Sequence, residues 1–296
     1  MRRGLLVLGA ALLINGGAPM VAAAETARDW FERMGQAVET LNYRGRLVHQ
    51  HDGQLDTLEV VHQLRDGKVY ERMTSLNGSG REVIRRGDDV RCTVADRQEV
   101  LVDWAAEGSP LVAVLPQYDA SLEEIYRFDL TPASGRVAGR PVHTLKIDPL
   151  DGYRYGYRLQ LDSETGMPLK CELVDDQNRS IETVMFTRIE FVDTLAAEVF
   201  EPLLPTTNYD EVRPVAAAGG NVIDAKQASF VADQLPSGFS LSIVTRHGDA
   251  ASGAEHLVYT DGVATISVFA ERRRENVEVF DGAANIGVAN VFGRRL

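Results

Sequence analysis

The sequence predicts an α+β fold, with a strand-rich first domain, flanking helices and a smaller mixed α/β second domain. Three observations support this class. Residues 26–41 have the pattern of an amphipathic helix, short strand-like segments separated by turn residues follow, and a proline-containing stretch interrupts the pattern near residue 205. With 296 residues, 44% of them hydrophobic, the chain is long enough for two domains, each with its own core.

The N-terminus has the three-part pattern of a secretory signal peptide. Arg2 and Arg3 precede an apolar run over residues 5–14, and Ala22-Ala23-Ala24 offers a cleavage site. The apolar run is too short to span a bilayer as a helix. We therefore expect residues 1–24 to be removed near Ala24 and the remaining chain to be exported, in a bacterium to the periplasm.

The first domain is predicted to span residues 25–200. Thr26 can cap a helix whose apolar stripe contains Trp30, Met34, Val38 and Leu41. Turns such as Asp52-Gly53 and Asp66-Gly67 then punctuate an antiparallel meander. The predicted strands cover residues 45–51, 55–64, 68–76, 81–86, 89–94, 99–104, 141–147, 153–162, 169–174 and 181–191, with a helical interruption at 121–124.

Residues 201–221 are predicted to be a linker, because Pro202, Pro205 and Pro214 break regular structure. The smaller C-terminal domain then covers residues 222–296. Its clearest element is a hairpin that turns at Asp261-Gly262.

The formal net charge of −12 argues against nucleic-acid binding, which needs a basic surface. A basic cluster nevertheless stands out, and its arginines could bind carboxylates or phosphates of a partner. Internal pairing with Glu82, Asp88 and Asp89 is the alternative. The cluster contains Arg81, Arg85, Arg86 and Arg91, and the second domain has a similar run of Arg272, Arg273 and Arg274.

Tyrosines are predicted to line one face of the strand at 153–162. Tyr153, Tyr155 and Tyr157 alternate there with charged residues. Amphipathic rings suit the wall of a cavity that holds an acyl chain or a peptide, and they suit an ordinary core equally well.

Cys92 and Cys171 both alternate with apolar residues, which fits a buried disulfide and fits two buried thiols. His49 and His51 share a strand face, and His62 could lie beside them. A zinc site needs a third and fourth ligand, and none is identifiable, so we predict no metal and no cofactor.

The motifs G-x-S-x-G, H-E-x-x-H and C-x-x-C and the Walker loop are all absent from the sequence. A binding function is therefore expected rather than an enzymatic one.

An ordered set of short motifs resembles the MucB/RseB family of periplasmic sigma-E regulators. No single motif decides this, but together they run through nearly all of the mature chain. They are Tyr43-Arg44-Gly45-Arg46-Leu47-Val48, Glu71-Arg72, Leu76-Asn77-Gly78, Arg81-Glu82-Val83-Ile84, Arg86-Gly87, Val137-Ala138-Gly139-Arg140, Tyr153-Arg154-Tyr155, Leu161-Asp162, Thr165-Gly166-Met167-Pro168-Leu169, Leu235-Pro236-Ser237-Gly238-Phe239, Leu257-Val258-Tyr259-Thr260-Asp261-Gly262 and Ser267-Val268-Phe269.

The resemblance implies that the first domain is a large antiparallel, unclosed β half-barrel like those of LolA and LolB, covered by helices. It implies a partner, the periplasmic part of an RseA- or MucA-like anti-sigma factor. Binding would shield that partner from the site-one protease, and lipopolysaccharide or another acylated ligand would release it. Family chains continue past the position of Leu296, so the second domain is expected to be truncated. Self-association is left open, and a periplasmic lipid or lipoprotein carrier is the alternative function.

Overall fold

The computed structural model describes residues 25–78, 80–102, 120–204, 209–212, 220–247, 254–271, 282–286 and 289–293. The predicted signal peptide lies outside these ranges, as do Arg272, Arg273 and Arg274. Among the described residues, no helix combines the length and the apolar character needed to cross a membrane.

Helix α1, Ala27–Thr40, begins at the predicted cap. The Thr26 side chain accepts from the backbone N–H of Asp29, and the Asp29 carboxylate accepts from the backbone N–H of Thr26, so both free N–H groups are satisfied. The buried stripe is formed by Trp30, Phe31, Met34, Ala37 and Val38. The amphipathic helix predicted for this segment is confirmed.

The large sheet has twelve strands. They are β1 (Tyr43–His51), β2 (Gln54–Arg65), β3 (Lys68–Ser75), β4 (Arg81–Arg86), β5 (Asp89–Val94), β6 (Glu99–Val102), β7 (Tyr126–Val137), β8 (Arg140–Pro149), β9 (Gly156–Asp162), β10 (Pro168–Val174), β11 (Ser180–Phe191) and β12 (Asp210–Val212). Their order is β12-β6-β5-β4-β3-β2-β1-β11-β10-β9-β8-β7. The end strands β12 and β7 do not pair with each other, so the sheet is unclosed, as predicted.

Apart from β12, the sheet consists of two antiparallel meanders, β1–β6 and β7–β11, which meet where β1 pairs with β11. The two-residue turn between β1 and β2 is formed by Asp52 and Gly53, both with positive φ. Gly45 lies at the meeting of the meanders, and a Cβ there would be 2.6 Å from the carbonyl oxygen of Arg188. A side chain at this position would therefore push β1 and β11 apart.

Helix α1 packs on one face of this sheet, which we call the inner face. Trp30, Phe31 and Met34 join a core cluster with Leu145, Leu159 and other residues of the second meander. Ala37 and Val38 join a cluster with Tyr43, Leu47, Val60 and Phe186 around the meeting of the two meanders. One helix thus covers the inner face of both meanders.

The opposite, outer face of β3–β5 is covered by residues 195–204. The buried Glu82 carboxylate accepts from the backbone N–H groups of Leu203, at 3.1 Å, and Leu204, at 3.3 Å. The guanidinium of Arg72 donates to the carbonyl oxygen of Glu201 at 3.3 Å. Farther along, β12 pairs in parallel with β6, so part of the predicted linker belongs to the large sheet.

The second sheet has the order β13-β14-β15-β16, formed by Gly220–Val222, Ser240–His247, Ala254–Thr260 and Thr265–Ala270. The predicted hairpin at Asp261-Gly262 joins β15 and β16. Val244, Leu257 and Tyr259 form its core. A separate hairpin contains β17 (Gly282–Ile286) and β18 (Ala289–Gly293).

Candidate partner-binding surfaces and the domain junction

The predicted basic cluster divides between the two faces of the sheet. Because side chains alternate along β4, Arg81 and Arg85 point to the inner face and Arg86 to the outer face. Arg86 is used internally: it donates to the carbonyl oxygen of Phe200 at 3.0 Å and pairs with Glu201 at 2.9 Å. Arg91 pairs with Asp89 and with Glu211, at 3.4 Å in each case.

Arg86 and Arg91 therefore follow the alternative of internal pairing that the sequence left open. Among the described residues, Asp89 is the one internal partner expected from sequence that forms an ion pair with an arginine of the cluster, Arg91. Glu82 instead binds backbone N–H groups, and its nearest guanidinium is that of Arg72, at 4.0 Å. Arg81 is exposed.

The strand predicted from Tyr153 is wrong at its start, because β9 begins only at Gly156. Tyr153 precedes the strand and is 76% exposed. Tyr155 is half-buried and packs against the first core cluster, while Tyr157 is buried within it beside Leu159. Burial raises the pKa of Tyr157 to about 12. These rings line no groove together.

An inner cavity of about 440 Å³ opens on the inner face of β1–β4. Its apolar lining comes from Leu58, Met73 and Val83, and Arg81 adds a cationic group. The remaining lining side chains are polar, and they include His49, His51, Gln54, Asp56, Ser75 and Asn77. A cavity of this volume and mixed character can hold part of an amphiphilic ligand with an acidic group.

Sequence reasoning missed an outer cavity, also of about 440 Å³. Arg44 and Arg46 alternate along β1 and share its outer face, and Arg188 lies directly opposite Arg46 on β11. Arg72 is the fourth arginine in the lining, which also contains the carboxylates of Glu59 and Glu190. Four positive and two negative side chains give the lining a formal charge of +2. The spacing Arg44-Gly45-Arg46 was the available signal.

The second sheet exposes an apolar face opposite its core. Ile243 on β14 lies opposite Val258 on β15, and Phe269 on β16 stacks on His256 with ring centroids 4.1 Å apart. Phe269 is 73% exposed and Ile243 is 44% exposed. Within the part of the chain that the structure describes, β16 is an edge strand with no neighbour on its far side. We call this surface the apolar face of the second sheet.

A buried ion pair joins the two sheets at the domain junction. The Arg154 Nε donates to the Asp261 carboxylate at 2.6 Å, and both side chains are fully buried. Arg154 also binds Asp151 and the carbonyl oxygen of Ser237, and the Tyr126 hydroxyl donates to Asp261 at 2.9 Å. Every polar group of this pair is therefore engaged, as burial of charge requires.

The pKa shifts at the junction follow from these contacts. Burial by itself would lower the pKa of Arg154, but the hydrogen bonds to Asp261 and Asp151 outweigh it, and the net shift is upward. Burial, with the neighbouring Asp261 carboxylate, raises the pKa of Tyr126 well above the ordinary tyrosine value. Both groups thus keep their ordinary charge states at neutral pH.

Cys92 and Cys171 are free buried thiols, so the disulfide left open by the sequence is not formed. Cys92 lies on β5 and Cys171 on β10, and five strands separate them in the sheet. Neighbouring strands are about 4.8 Å apart, far more in total than a disulfide can bridge. Burial raises the pKa of the Cys171 thiol to about 12.

Two of the three histidines considered from sequence come together. His49, His51 and Asp56 place one potential metal-binding atom each within 4.8 Å of one another. His62 lies elsewhere: its Nδ1 is 3.0 Å from the carbonyl oxygen of Leu41, and its ring stacks on Tyr43. Burial lowers the pKa of His62.

Comparison with known families finds a matching domain for each of the two large parts of the chain. Residues 26–204 match the MucB/RseB N-terminal domain, and residues 224–296 match the MucB/RseB C-terminal domain. The chain belongs to the MucB/RseB family. The resemblance drawn from short sequence motifs is therefore confirmed.

Relatives in this family are named as regulators of sigma factors. The sigma factor AlgU regulatory protein MucB of Pseudomonas aeruginosa is 32% identical over 298 residues, covering 99% of this chain and 87% of the relative. The sigma-E factor regulatory protein RseB of Haemophilus influenzae is 26% identical, covering 84% of this chain and 78% of the relative.

Solved structures of MucB are similar over most of the chain. The complex of Pseudomonas aeruginosa MucA and MucB matches with a TM-score of 0.65 and 27% identity, covering 88% of this chain and 85% of the other. A crystal structure of MucB matches with a TM-score of 0.59 and 25% identity, covering 90% and 92%.

Proposed function

We propose that this protein is a periplasmic negative regulator of the envelope stress response, which binds the periplasmic part of a membrane anti-sigma factor. The observation that carries the proposal is the match, across 88% of the chain, to MucB solved in complex with MucA. The predicted signal peptide supports a periplasmic location, and the sequence offers no catalytic motif that would suggest an enzyme.

The apolar face of the second sheet is the surface we assign to the anti-sigma factor. Ile243 and Phe269 expose apolar area that a partner could bury, and β16 is an edge strand of its sheet among the described residues. An extended segment of the partner could add to β16 as a further strand, with its apolar side chains on Phe269.

Strand addition explains why a bound partner would resist the site-one protease. A peptide that is hydrogen-bonded along a sheet edge is held in place and is less available for a protease to bind. The protein would act by occupying the segment and would need no catalytic group of its own.

Release by lipopolysaccharide or another acylated ligand is assigned to the inner cavity. The Arg81 guanidinium could bind a phosphate or carboxylate group, while Leu58, Met73 and Val83 contact part of an acyl chain. The cavity lies in the first domain and the partner surface in the second, so release requires that the two sites favour different conformations.

Calorimetry of residues 25–296 with the periplasmic segment of the anti-sigma factor tests the proposal. We expect binding, and we expect lipopolysaccharide to abolish it. Phe269→Asp should weaken binding at least tenfold, because a carboxylate would then face the apolar partner. Val231→Asp is the matched control, since Val231 is 70% exposed in the same domain. A folded wild-type protein that ignores the segment would refute the proposal.

Protection is measured separately. The site-one protease should cleave the free segment and leave it intact when the protein is present in excess, unless lipopolysaccharide is added. Equal cleavage rates with and without the bound protein would refute the proposed protection from the protease, and they would not contradict partner binding.

A periplasmic lipid or lipoprotein carrier is the second candidate, and the inner cavity with its apolar lining favours it. A carrier should purify with lipid in a stoichiometric amount and should deliver it to acceptor vesicles. Lipid binding without such delivery would favour the regulator.

A further inference from the structure

Four polar side chains lie together at the closed end of the hairpin formed by β1 and β2. His49 and His51 alternate along β1 and share the inner face. Asp56 on β2 lies directly opposite His49, and Glu182 on β11 lies directly opposite His51. Residues that face each other on neighbouring strands point to the same side of a sheet, so all four share one surface.

We propose that His49, His51 and Asp56 bind a divalent transition-metal cation, for which Zn²⁺ is the best-suited ion. Their potential ligand atoms lie within 4.8 Å of one another. In a tetrahedral zinc site, ligand atoms about 2.0–2.1 Å from the metal are about 3.3 Å apart. Side-chain rotations that bring the ligand atoms about 1.5 Å closer together would close that difference without moving the strands.

The ligand types select the ion. Two imidazoles and one carboxylate suit Zn²⁺ and neighbouring transition metals, whereas Ca²⁺ and Mg²⁺ require oxygen ligands. The side chains of His49, His51 and Asp56 are 22%, 30% and 40% exposed, so a cation can reach them from the inner cavity. Three protein ligands leave a coordination position for water or an anion.

Glu182 contacts one of the proposed ligands, His49, and is not itself a ligand. Its carboxylate is 2.6 Å from His49 Nε2, and only 14% of its side chain is exposed. A carboxylate in this position fixes the tautomer and the orientation of a metal-binding imidazole, which leaves Nδ1 as the ligand atom of His49. Glu182 is therefore assigned as a positioning residue.

Without a cation, the same side chains form two simple pairs, His49 with Glu182 and His51 with Asp56. The second pair is long, with 3.3 Å between His51 Nε2 and the Asp56 carboxylate. Replacing this long hydrogen bond by metal coordination therefore costs little stabilisation. The turn residues Asp52 and Gly53 already fix the register that places the ligands together, so binding needs no refolding of the hairpin.

The test uses untagged residues 25–296 in competition with a chromophoric zinc chelator. We expect one equivalent of Zn²⁺ per chain and no competition from Ca²⁺ or Mg²⁺. The double variant His49→Gln/His51→Gln should lose this equivalent. His143→Gln is the matched control, because His143 accepts from the Ala133 N–H at 3.1 Å in a different part of the sheet, and it should bind like the wild type.

Two single variants keep the test decisive if the double variant is unstable. Asp56→Asn should lose the equivalent, and Glu182→Gln should weaken binding by about tenfold, the effect expected when an orienting carboxylate is removed. Co²⁺ in place of Zn²⁺ should give the visible absorption of a tetrahedral site only in proteins that retain the ligands. Circular dichroism verifies that each variant is folded.

The inference fails if the wild-type protein takes up no equivalent of Zn²⁺. It also fails if folded Asp56→Asn and His49→Gln/His51→Gln bind as tightly as the wild type, because the ion would then be held elsewhere. Neither result depends on the anti-sigma factor, so this experiment tests the metal site independently of the proposed function.

Discussion

Arg81 and Arg86 lie on one short strand but face opposite sides of the sheet, and we expect their replacement to have different effects. Arg81→Ala should weaken lipopolysaccharide binding and leave the melting temperature unchanged, because Arg81 is exposed at the inner cavity. Arg86→Ala should instead lower the free energy of unfolding by about 1 kcal/mol, since it removes contacts to Phe200 and Glu201. Urea unfolding and lipid binding of both variants distinguish these roles; equal effects would contradict them.

The two cysteines should behave as protected thiols. Denatured protein that was never reduced should take up two equivalents of an alkylating reagent, because both cysteines are free. In native protein at pH 8 they should react far more slowly, since burial limits access and raises the thiol pKa, to about 12 for Cys171. Mass spectrometry counts the adducts. Fewer than two adducts after denaturation would indicate a disulfide.

Asp162 should contribute to the loss of stability in acid. Burial by itself would raise the pKa of this carboxyl, but hydrogen bonds from Arg140 and Thr165 outweigh it and hold the pKa below the ordinary value. The stabilisation is therefore complete above the unfolded pKa, about 3.9, and is lost as pH falls through the lower folded pKa.

Asp162→Asn tests this assignment. The variant should be less stable than the wild type at pH 7, and the difference should shrink below pH 4. Thermal unfolding at a series of pH values gives both curves, and a constant difference down to pH 2 would show that Asp162 does not titrate in this way.

At the scale of elements, we expect a side chain to be tolerated at one glycine, Gly35, and not at another, Gly45. Gly45→Ala should destabilise the protein by about 1–3 kcal/mol, because the added Cβ would lie 2.6 Å from the Arg188 carbonyl oxygen on β11. Gly35→Ala in α1 meets no atom within 4 Å and should stabilise by up to about 1 kcal/mol through helix propensity. Chemical denaturation compares the two, and a neutral Gly45→Ala would show that β1 and β11 can separate freely.

The elements that sequence predicted well are those with a strong local signal. The helix has a capping box and an apolar stripe, and the hairpins of the first meander have Asp-Gly turns at residues 52 and 66. Strand β7 was missed, because its middle residues are mostly exposed and include Pro132 and Gly135. The strand at the tyrosine segment is predicted from Tyr153, three residues before β9 begins, since alternation alone does not show where pairing begins.

For the whole molecule, we expect the buried ion pair at the domain junction to determine how firmly the two domains associate. Asp261→Ala would leave the Arg154 guanidinium buried without its principal partner, at a cost of about 3–5 kcal/mol. The expected result is faster proteolysis between the domains and a larger radius by small-angle scattering. Asp233→Ala is the control, because Asp233 is exposed in the same domain. An unchanged cleavage rate for Asp261→Ala would contradict this role.

The candidate sites were less predictable than the fold, because they depend on which residues the register places side by side. Nothing in the sequence shows that Glu182 faces His51 or that Asp261 meets Arg154, 107 positions earlier in the chain. By contrast, Arg81 could be proposed from its local cluster alone. Residues joined by long-range pairing are visible only once the strand order is known.

The order of the strands also bears on how the chain folds as its segments become available in order from the N-terminus. Each meander can form from neighbouring segments, but β1 must wait for β11, as the bond between Arg44 and Glu190 spans 146 positions. Closing so long a loop is slow, and until then one edge of β1 and the apolar side chains of Tyr43 and Leu47 lack their partners. The emerging chain therefore passes through a period in which it can aggregate, and this period ends only when residues 180–191 become available.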